Sequence, residues 1–470
     1  MSTASAERRI FGNRTLNLRS IKAIGYDMDY TLIHYRVEEW ERRAFDHVRA
    51  RLSDRGWPVA DLSFDPDEVI RGLTIDLELG NLVKPTRFGY VIRAAHGTRI
   101  LAFEELRDAY EGTFVDLGEE RFVFLNTMFS MSEASLFSQL VDLADAGRLP
   151  GVLGYPDLYE VINAEMGEAH MAGRLKEEIA ANPEPFVVDD PDVVLTLRDQ
   201  REAGKRLLLI TNSDWAYTRH IMAYAFDRHM PDGTWRDLFD TIVVAADKPS
   251  FFSRTMPLYR VVDEDAALLQ PHLGELEPGA VYVGGCAPRI EESLGLAGGD
   301  ILYVGDHLYA DVSVSKDVLR WRTALILREL EDEVGGQLAF ADGEAALAEL
   351  MREKEALETR LASARLDRLR SRSGHADPVG DPSDAGAAID ELSKALATLD
   401  ERIAPLAKQA SVLANPHWGP LMRSGSDKSL FARQVERYAD VYTSRVSNFL
   451  HATPFAYLRA ARGTLPHEVS

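Results

Sequence analysis

The sequence predicts an α/β protein: an open parallel sheet, a subdomain inserted after its first strand, and a helical hairpin late in the chain. Three observations carry this. Short apolar runs ending in polar or glycine punctuation recur along the chain. Segments of helical periodicity lie between several of them. The gap between the first run and the second, residues 27 to 205, is far longer than one crossover helix needs.

Taken in order, the runs are "IKAIGY" (21–26), "RLLLI" (206–210), "TIVVAA" (241–246), "ILYVG" (301–305) and "TALIL" (323–327). Each is apolar on both faces, as a strand covered by helices on both sides must be. "DPDVVLTLRDQREAGK" (190–205) and "AYTRHIMAYAFDR" (216–228) read as helices beside them. Inside the long gap, "GNLVKPTRFGYVIRAAHG" (80–97) alternates like a hairpin, and "LNTMFSMSEASLFSQLVDLAD" (125–145) reads as the start of an amphipathic helix.

From 342 to 411 the pattern changes. Ile389, Leu392, Leu396, Leu399, Ile403 and Leu406 fall three and four apart, and Leu347, Leu350, Leu357 and Leu361 supply a partner seam. Between them "RSRSGHADPVGDPSDAG" (370–386) reads as the connecting loop. The expected division is a catalytic core of 1–32 and 206–341 with 412–470 packed on it, an inserted cap of 33–205 including a core-flanking helix, and an arm of 342–411.

Composition narrows the function. Among 470 residues, 53 Lys and Arg face 75 Asp and Glu, a net charge of −22. Such a chain lacks the basic footprint of a general nucleic-acid binder and is repelled by an anionic membrane surface. The one cysteine, Cys286, forms no internal disulfide, which suits a reducing cytoplasm. No run is long enough to span a bilayer, and the first twenty residues hold no apolar core of signal-peptide length.

The chemistry sits at strand ends. The first run closes with "DMDYT", placing Asp27 and Asp29 two residues apart, on one side of an extended segment. Like charges that close repel unless something positive lies between them. Three later ends supply partners: "LLLITNSDW" brings Thr211, Asn212 and Ser213, "VVAADKPSFF" brings Lys248, and "ILYVGDHLYAD" brings Asp306 and Asp311. In an open parallel sheet these ends share one rim, where ligands bind. Carboxylate oxygens at an open site are what Mg²⁺ takes when it also meets a substrate phosphate.

That order of strand–DxDxT, strand–T/S, Lys and GDxxxxD is similar to the haloacid dehalogenase (HAD) superfamily of phosphotransferases, with its Rossmann-like core. "GYDMDYTLIHY", "GNLVKP", "AAHG", "LNTMFS", "TNSDWAYTRHIMAYAFD", "KPSFF", "YVGG", "ILYVGDHLYADV", "WRTALIL", "RSGSDKSLFARQVERYADVYTS" and "LPHE" together resemble the cytosolic purine 5′-nucleotidase family. The likeness runs from about residue 10 to 330 and resumes from about 420 to 468, leaving out the arm.

The resemblance implies a Mg²⁺-dependent 5′-nucleotidase acting through an aspartyl phosphate, with phosphotransfer as a companion activity. It implies Asp27 as nucleophile, Asp29 as general acid and base, and Thr211 and Lys248 as partners of the phosphoryl oxygens. The metal would be held by Asp27, the backbone carbonyl of Asp29, and Asp306, with Asp311 an alternative metal partner or a support for Lys248. Thr31 would brace the loop. On the residues themselves, Asn212 and Ser213 offer backbone N–H and hydroxyl groups to an anion; the resemblance adds Phe129 in the cap as the base-stacking aromatic and His170 and Lys176 at positions near the substrate. A homo-oligomer is also implied.

Two departures stand out. Asn163 and Gly167 fall where the vertebrate members have an Arg and an Asp that contact the purine, so preference for IMP and GMP is not carried over. Asp116 and Asp317 fall at basic positions of the vertebrate nucleotide-activation site, although Asn126, Gln434 and Tyr438 are kept; activation by ATP of that kind is not expected. Two other functions fit the residues: a HAD phosphatase for another small phosphate ester, and a non-catalytic scaffold using its helical arm.

Overall fold

The structure is a computed structural model that describes residues 5–171, 174–375 and 385–461, with side chains for all of these except 168–171, 174 and 385. It forms two compact units, Met1–Glu331 with Leu421–Ser470, and Asp332–Pro420.

The first unit is organised by a ten-stranded sheet. Its seven inner strands are parallel, in the order Val441–Thr443, Arg322–Ile326, Ile301–Gly305, Ala23–Tyr26, Arg206–Ile210, Thr241–Val244 and Val281–Gly284. All five apolar runs take their places in it. Antiparallel strands close both sides: Phe11–Gly12 on Val441–Thr443, and the Leu258–Asp263/Leu268–Pro271 hairpin on Val281–Gly284. These short or half-exposed edge strands gave no continuous apolar run to read.

Ala23–Tyr26 is central and wholly buried. Gly25 within it makes room for a neighbour, since a Cβ there would lie 2.8 Å from the Tyr303 ring. Phe251 and Phe252, the "FF" of "KPSFF", pack with Tyr303 and Trp321 beneath the sheet; Phe252 meets Tyr303 edge-on at 5.0 Å. Burying each such ring contributes roughly 2–3 kcal/mol.

The insertion carries a five-stranded antiparallel sheet that includes Asn81–Pro85 paired with Val91–His96, the expected hairpin. Around it lie the helices Val37–Asp54, Met131–Asp145, Tyr155–Met171 and Arg174–Ala181. Pro191–Glu202 then leads back into the main sheet.

In the second unit, helices Ala341–Ser373 and Ala385–Ser411 pack along the leucine seam: Leu350 with Leu399 and Ile403, Leu361 with Ile389 and Leu392. Lys354 bonds Asp400 across the pair at 2.6 Å. The first helix continues to Ser373, past the expected loop start at 370, and stops at Gly374, whose φ of 62° a side-chain-bearing residue resists. The rest of that loop, 376–384, lies outside the described residues.

Candidate active site

Parallel register brings the carboxyl ends of neighbouring strands to one rim. The Asp27 amide donates to the Val304 carbonyl at 2.9 Å and the Thr211 amide to Val243 at 3.0 Å, so both residues leave the sheet together. Non-glycine residues take positive φ in two of the emerging loops: Tyr30 (53°), Ala245 (44°) and Asp247 (59°). Each costs about 1–3 kcal/mol and persists only where its surroundings hold it.

Asp27 faces charge. Lys248 Nζ lies 2.7 Å from Asp27 Oδ1 and 2.8 Å from Asp311 Oδ1. It also donates to the Tyr303 hydroxyl at 3.1 Å, which in turn donates to the Ile210 carbonyl. The Lys248 backbone is gripped at two points by the Asn212 side chain, at 2.7 and 3.0 Å. The Asn212 side chain thus positions Lys248. Asp311 stands on a π-helical turn, Leu308–Ser313, and accepts from the His307 amide at 3.1 Å. Gly305 explains the glycine of the GDxxxxD motif, because a Cβ there would overlap the Asp311 carboxylate.

Asp27, Asp306 and Asp311 place carboxylate oxygens within 4.8 Å of one another, the only such group of three metal-ligating side chains among the described residues. Asp306 Oδ2 is buried with no hydrogen-bond partner. Three carboxylates against one ammonium leave two negative charges uncompensated, which fits a divalent cation with oxygen ligands. Burial pushes the Asp27 carboxyl up to about 7, with Lys248 opposing the rise and Asp311 adding to it. Asp306 is likewise raised, by burial and then by Asp311 and Asp27. Burial alone would lower Lys248, but the Asp27 and Asp311 carboxylates outweigh it and hold it well above its usual value.

Asp29 faces hydroxyls. Tyr35 donates to its Oδ1 at 2.5 Å and Ser213 to its Oδ2 at 2.6 Å. Tyr35 also meets Tyr217 oxygen to oxygen at 2.9 Å. Ser213 accepts from Lys176 Nζ at 2.8 Å, and that ammonium lies over the Tyr217 ring. The Asp29 carboxylate thus stands apart from the acidic trio. Thr211 is buried, and its hydroxyl accepts from the Ser213 amide at 3.1 Å. Thr31 holds the turn through its amide to Met28, while its buried hydroxyl has no hydrogen-bond partner.

Of the expected cap residues, Lys176 reaches this rim. Phe129 is half-buried and packs edge-on against Tyr30 at 4.7 Å and Trp40 at 5.6 Å. The side chain of His170 lies outside the described residues. Asn163 and Gly167 are exposed on the helix Tyr155–Met171.

A separate cleft of about 670 Å³ has Asp116, Asn126, Gln434 and Tyr438 in its wall. Arg433 and Arg437 also line it, two cations that the aligned positions did not indicate.

Four supporting residues escaped the sequence reading: Tyr35, Tyr303, Tyr217 and Arg71. Arg71 is buried and forks onto Glu329 at 2.5 and 2.8 Å, with a third N–H to the Asp306 carbonyl at 3.2 Å. Tyr35, Tyr217 and Tyr303 lie inside quoted motifs, so their signal was present without a role attached.

The sequence model of the 5′ nucleotidase family matches residues 10–470. Its span takes in the arm, which none of the quoted motifs reaches. A 5′-nucleotidase domain-containing protein of Dictyostelium discoideum is 27% identical over 98% of this chain and 74% of its own length. The rat 5′-nucleotidase domain-containing protein 2 is 27% identical over 98% and 80%. Among solved structures, the β-phosphoglucomutase of Pyrococcus sp. strain ST 04 is similar over 65% of this chain and 86% of its own, at 10% identity and a TM-score of 0.32. A predicted phosphoglycolate phosphatase of Haemophilus somnus is similar over 65% and 85%, at 14% identity and 0.28.

Proposed function

The chain belongs to the 5′ nucleotidase family, a phosphoric monoester hydrolase, and from that premise we propose a Mg²⁺-dependent enzyme that hydrolyses nucleoside 5′-monophosphates through a phosphate ester on Asp27. The observation that carries this reading is the pairing of the acidic trio with Lys248 at the same rim as a hydroxyl-bonded Asp29.

Asp27 supplies the attacking oxygen, forming an acyl-phosphate bond as the bond from phosphorus to the ribose 5′-oxygen breaks. Asp29 gives its proton to that departing oxygen. In the second half a water loses its proton to Asp29 and attacks phosphorus, releasing phosphate and restoring Asp27. Lys248 and the Thr211 hydroxyl face the negative oxygens of the phosphoryl group, where preorganised charge and donors lower the barrier. Asp27, Asp306 and Asp311 would hold Mg²⁺, which supplies charge neutralisation at the phosphoryl oxygens. An acceptor nucleoside in place of the water would give phosphotransfer.

The nucleoside lies toward the insertion in this reading, with Phe129 as base platform and Lys176 and Ser213 near the phosphate. Among the described residues no helix is long and apolar enough to cross a membrane. A cytoplasmic location and a homo-oligomer belong to the same proposal; light scattering checks the latter.

Phosphate release from IMP, GMP, AMP, UMP and ribose 5-phosphate, with Mg²⁺ and with EDTA, tests the function. The expected result is turnover of a nucleotide above ribose 5-phosphate, abolished by EDTA and restored by Mg²⁺. Turnover of a different phosphate ester alone, or turnover indifferent to EDTA, would overturn it.

A further inference from the structure

Glu41 is a buried carboxylate that the mechanism above does not use. It stands on the first helix of the insertion, Val37–Asp54, and its Oε2 accepts from both the Ser132 amide at 2.9 Å and the Ser132 hydroxyl at 2.7 Å. Ser132 opens the helix Met131–Asp145, whose own N-cap residue, Ser130, makes no side-chain capping bond. A carboxylate on a different helix therefore does the capping, satisfying an orphan N–H and meeting the positive end of the helix dipole.

The turn just before that helix, Met128–Ser130, carries Phe129. Trp40, the residue next to Glu41, contacts the Phe129 ring, and Tyr30 contacts it as well. The Tyr30 hydroxyl and Glu41 Oε1 are both buried without a hydrogen-bond partner. Tyr30 follows Asp29 directly and takes the positive φ of the catalytic loop. Two adjacent residues of one helix thus grip the Phe129 turn, one by its ring and one through Ser132. The same cluster is joined to the Asp29 loop through Tyr30 and Tyr35. Burial holds the Glu41 carboxyl up at about 7 even though the Ser132 bonds favour its ionised form, so the site retains this group at a cost.

We propose that Glu41 is a positioning residue for nucleoside recognition: by capping the Met131–Asp145 helix from outside, it fixes the Phe129 ring beside the Asp27–Asp29 loop. This rests on Phe129 acting as the base platform. Its signature is selective, because misplacing the platform weakens contact with a base and leaves phosphoryl transfer from a base-free ester untouched.

The test compares the best nucleoside 5′-monophosphate with ribose 5-phosphate in the full chain carrying Glu41→Ala, Glu41→Gln or Ser132→Ala. Glu41→Ala is expected to raise KM for the nucleotide about tenfold, while kcat and the ribose 5-phosphate kcat/KM change less than about twofold. Glu41→Gln keeps an acceptor for Ser132 and should restore nucleotide KM to within about threefold of wild type. Ser132→Ala removes one of the two bonds and should raise nucleotide KM about threefold, which keeps the inference testable if Glu41→Ala does not fold. Equal losses on both substrates, or an unchanged nucleotide KM in Glu41→Ala, would overturn the role of Glu41 while leaving the nucleotidase reading intact. A wild-type enzyme that binds ribose 5-phosphate as tightly as any nucleotide would overturn the base-platform reading and this inference with it.

Discussion

Asp27 and Asp29 share a loop, a residue type and near-complete burial, yet their surroundings are opposites. Asp27 faces an ammonium and two further carboxylates. Asp29 faces two hydroxyls, each with a second polar partner behind it. The difference is chemical. An ammonium only donates, so it favours an ionised oxygen ready to attack; a hydroxyl both donates and accepts, so it serves a carboxyl in either protonation state. One environment suits a nucleophile and the other a proton carrier.

The comparison breaks if both aspartates fail alike. Asp27→Asn should cut phosphate release from a nucleotide by at least about 10⁴-fold, and by as much from p-nitrophenyl phosphate, since the attacking oxygen is gone in both cases. Asp29→Asn should slow phosphoryl transfer from the nucleotide to Asp27 about 10²–10⁴-fold but slow the p-nitrophenol burst far less, because that leaving group needs no proton, while hydrolysis of the Asp27 phosphate slows alike for both. Pre-steady-state kinetics on the two substrates decides it; equal losses in the transfer step from Asp29→Asn would remove its role as the acid toward the leaving group.

Smaller changes sharpen each side. On the Asp27 side, Asp306→Asn should raise the Mg²⁺ concentration for half-maximal turnover about 10–100-fold, read from a metal titration. On the Asp29 side, Tyr35→Phe deletes the 2.5 Å donor and should lower kcat about tenfold with KM nearly unchanged.

A last effect, on stability and not on turnover, lies outside both environments and separates acid damage to the fold from titration at the site. His34 is buried, its imidazole pushed down to about 3 by burial and then by Arg328 and Arg445. Its folded value lies below the unfolded one near 6.5, so stability is full above about pH 6.5 and falls as pH drops toward 3. Between pH 7 and pH 5 the wild type should lose about 2 kcal/mol more than His34→Gln in urea unfolding. Equal losses in both proteins would show that His34 does not set the acid limit.

The two sides also differ in how far they could be read from sequence. Asp27, Thr211, Lys248 and Asp306 were legible because each ends an apolar run, and a run with a polar stop is a one-dimensional signal. Lys176 rested on resemblance, and the structure brings it to Ser213. What held these residues was harder to see. Tyr35, Tyr303, Arg71 and Glu41 act across the fold, through partners that lie 6, 93, 258 and 91 residues away. Asn212 shows a job that its place beside Thr211 did not announce: its side-chain amide clamps the Lys248 backbone. The arm seam was readable from heptads alone because each leucine meets its partner at a regular spacing.

The most direct test of the account is peptide mapping after rapid acid quench during turnover of the best nucleotide. One phosphoryl group is expected on the peptide that contains Asp27, present with Mg²⁺, absent with EDTA and absent in Asp27→Asn. Rapid turnover with Asp27 unmodified and phosphate on another side chain, or undiminished turnover in Asp27→Asn, would contradict it.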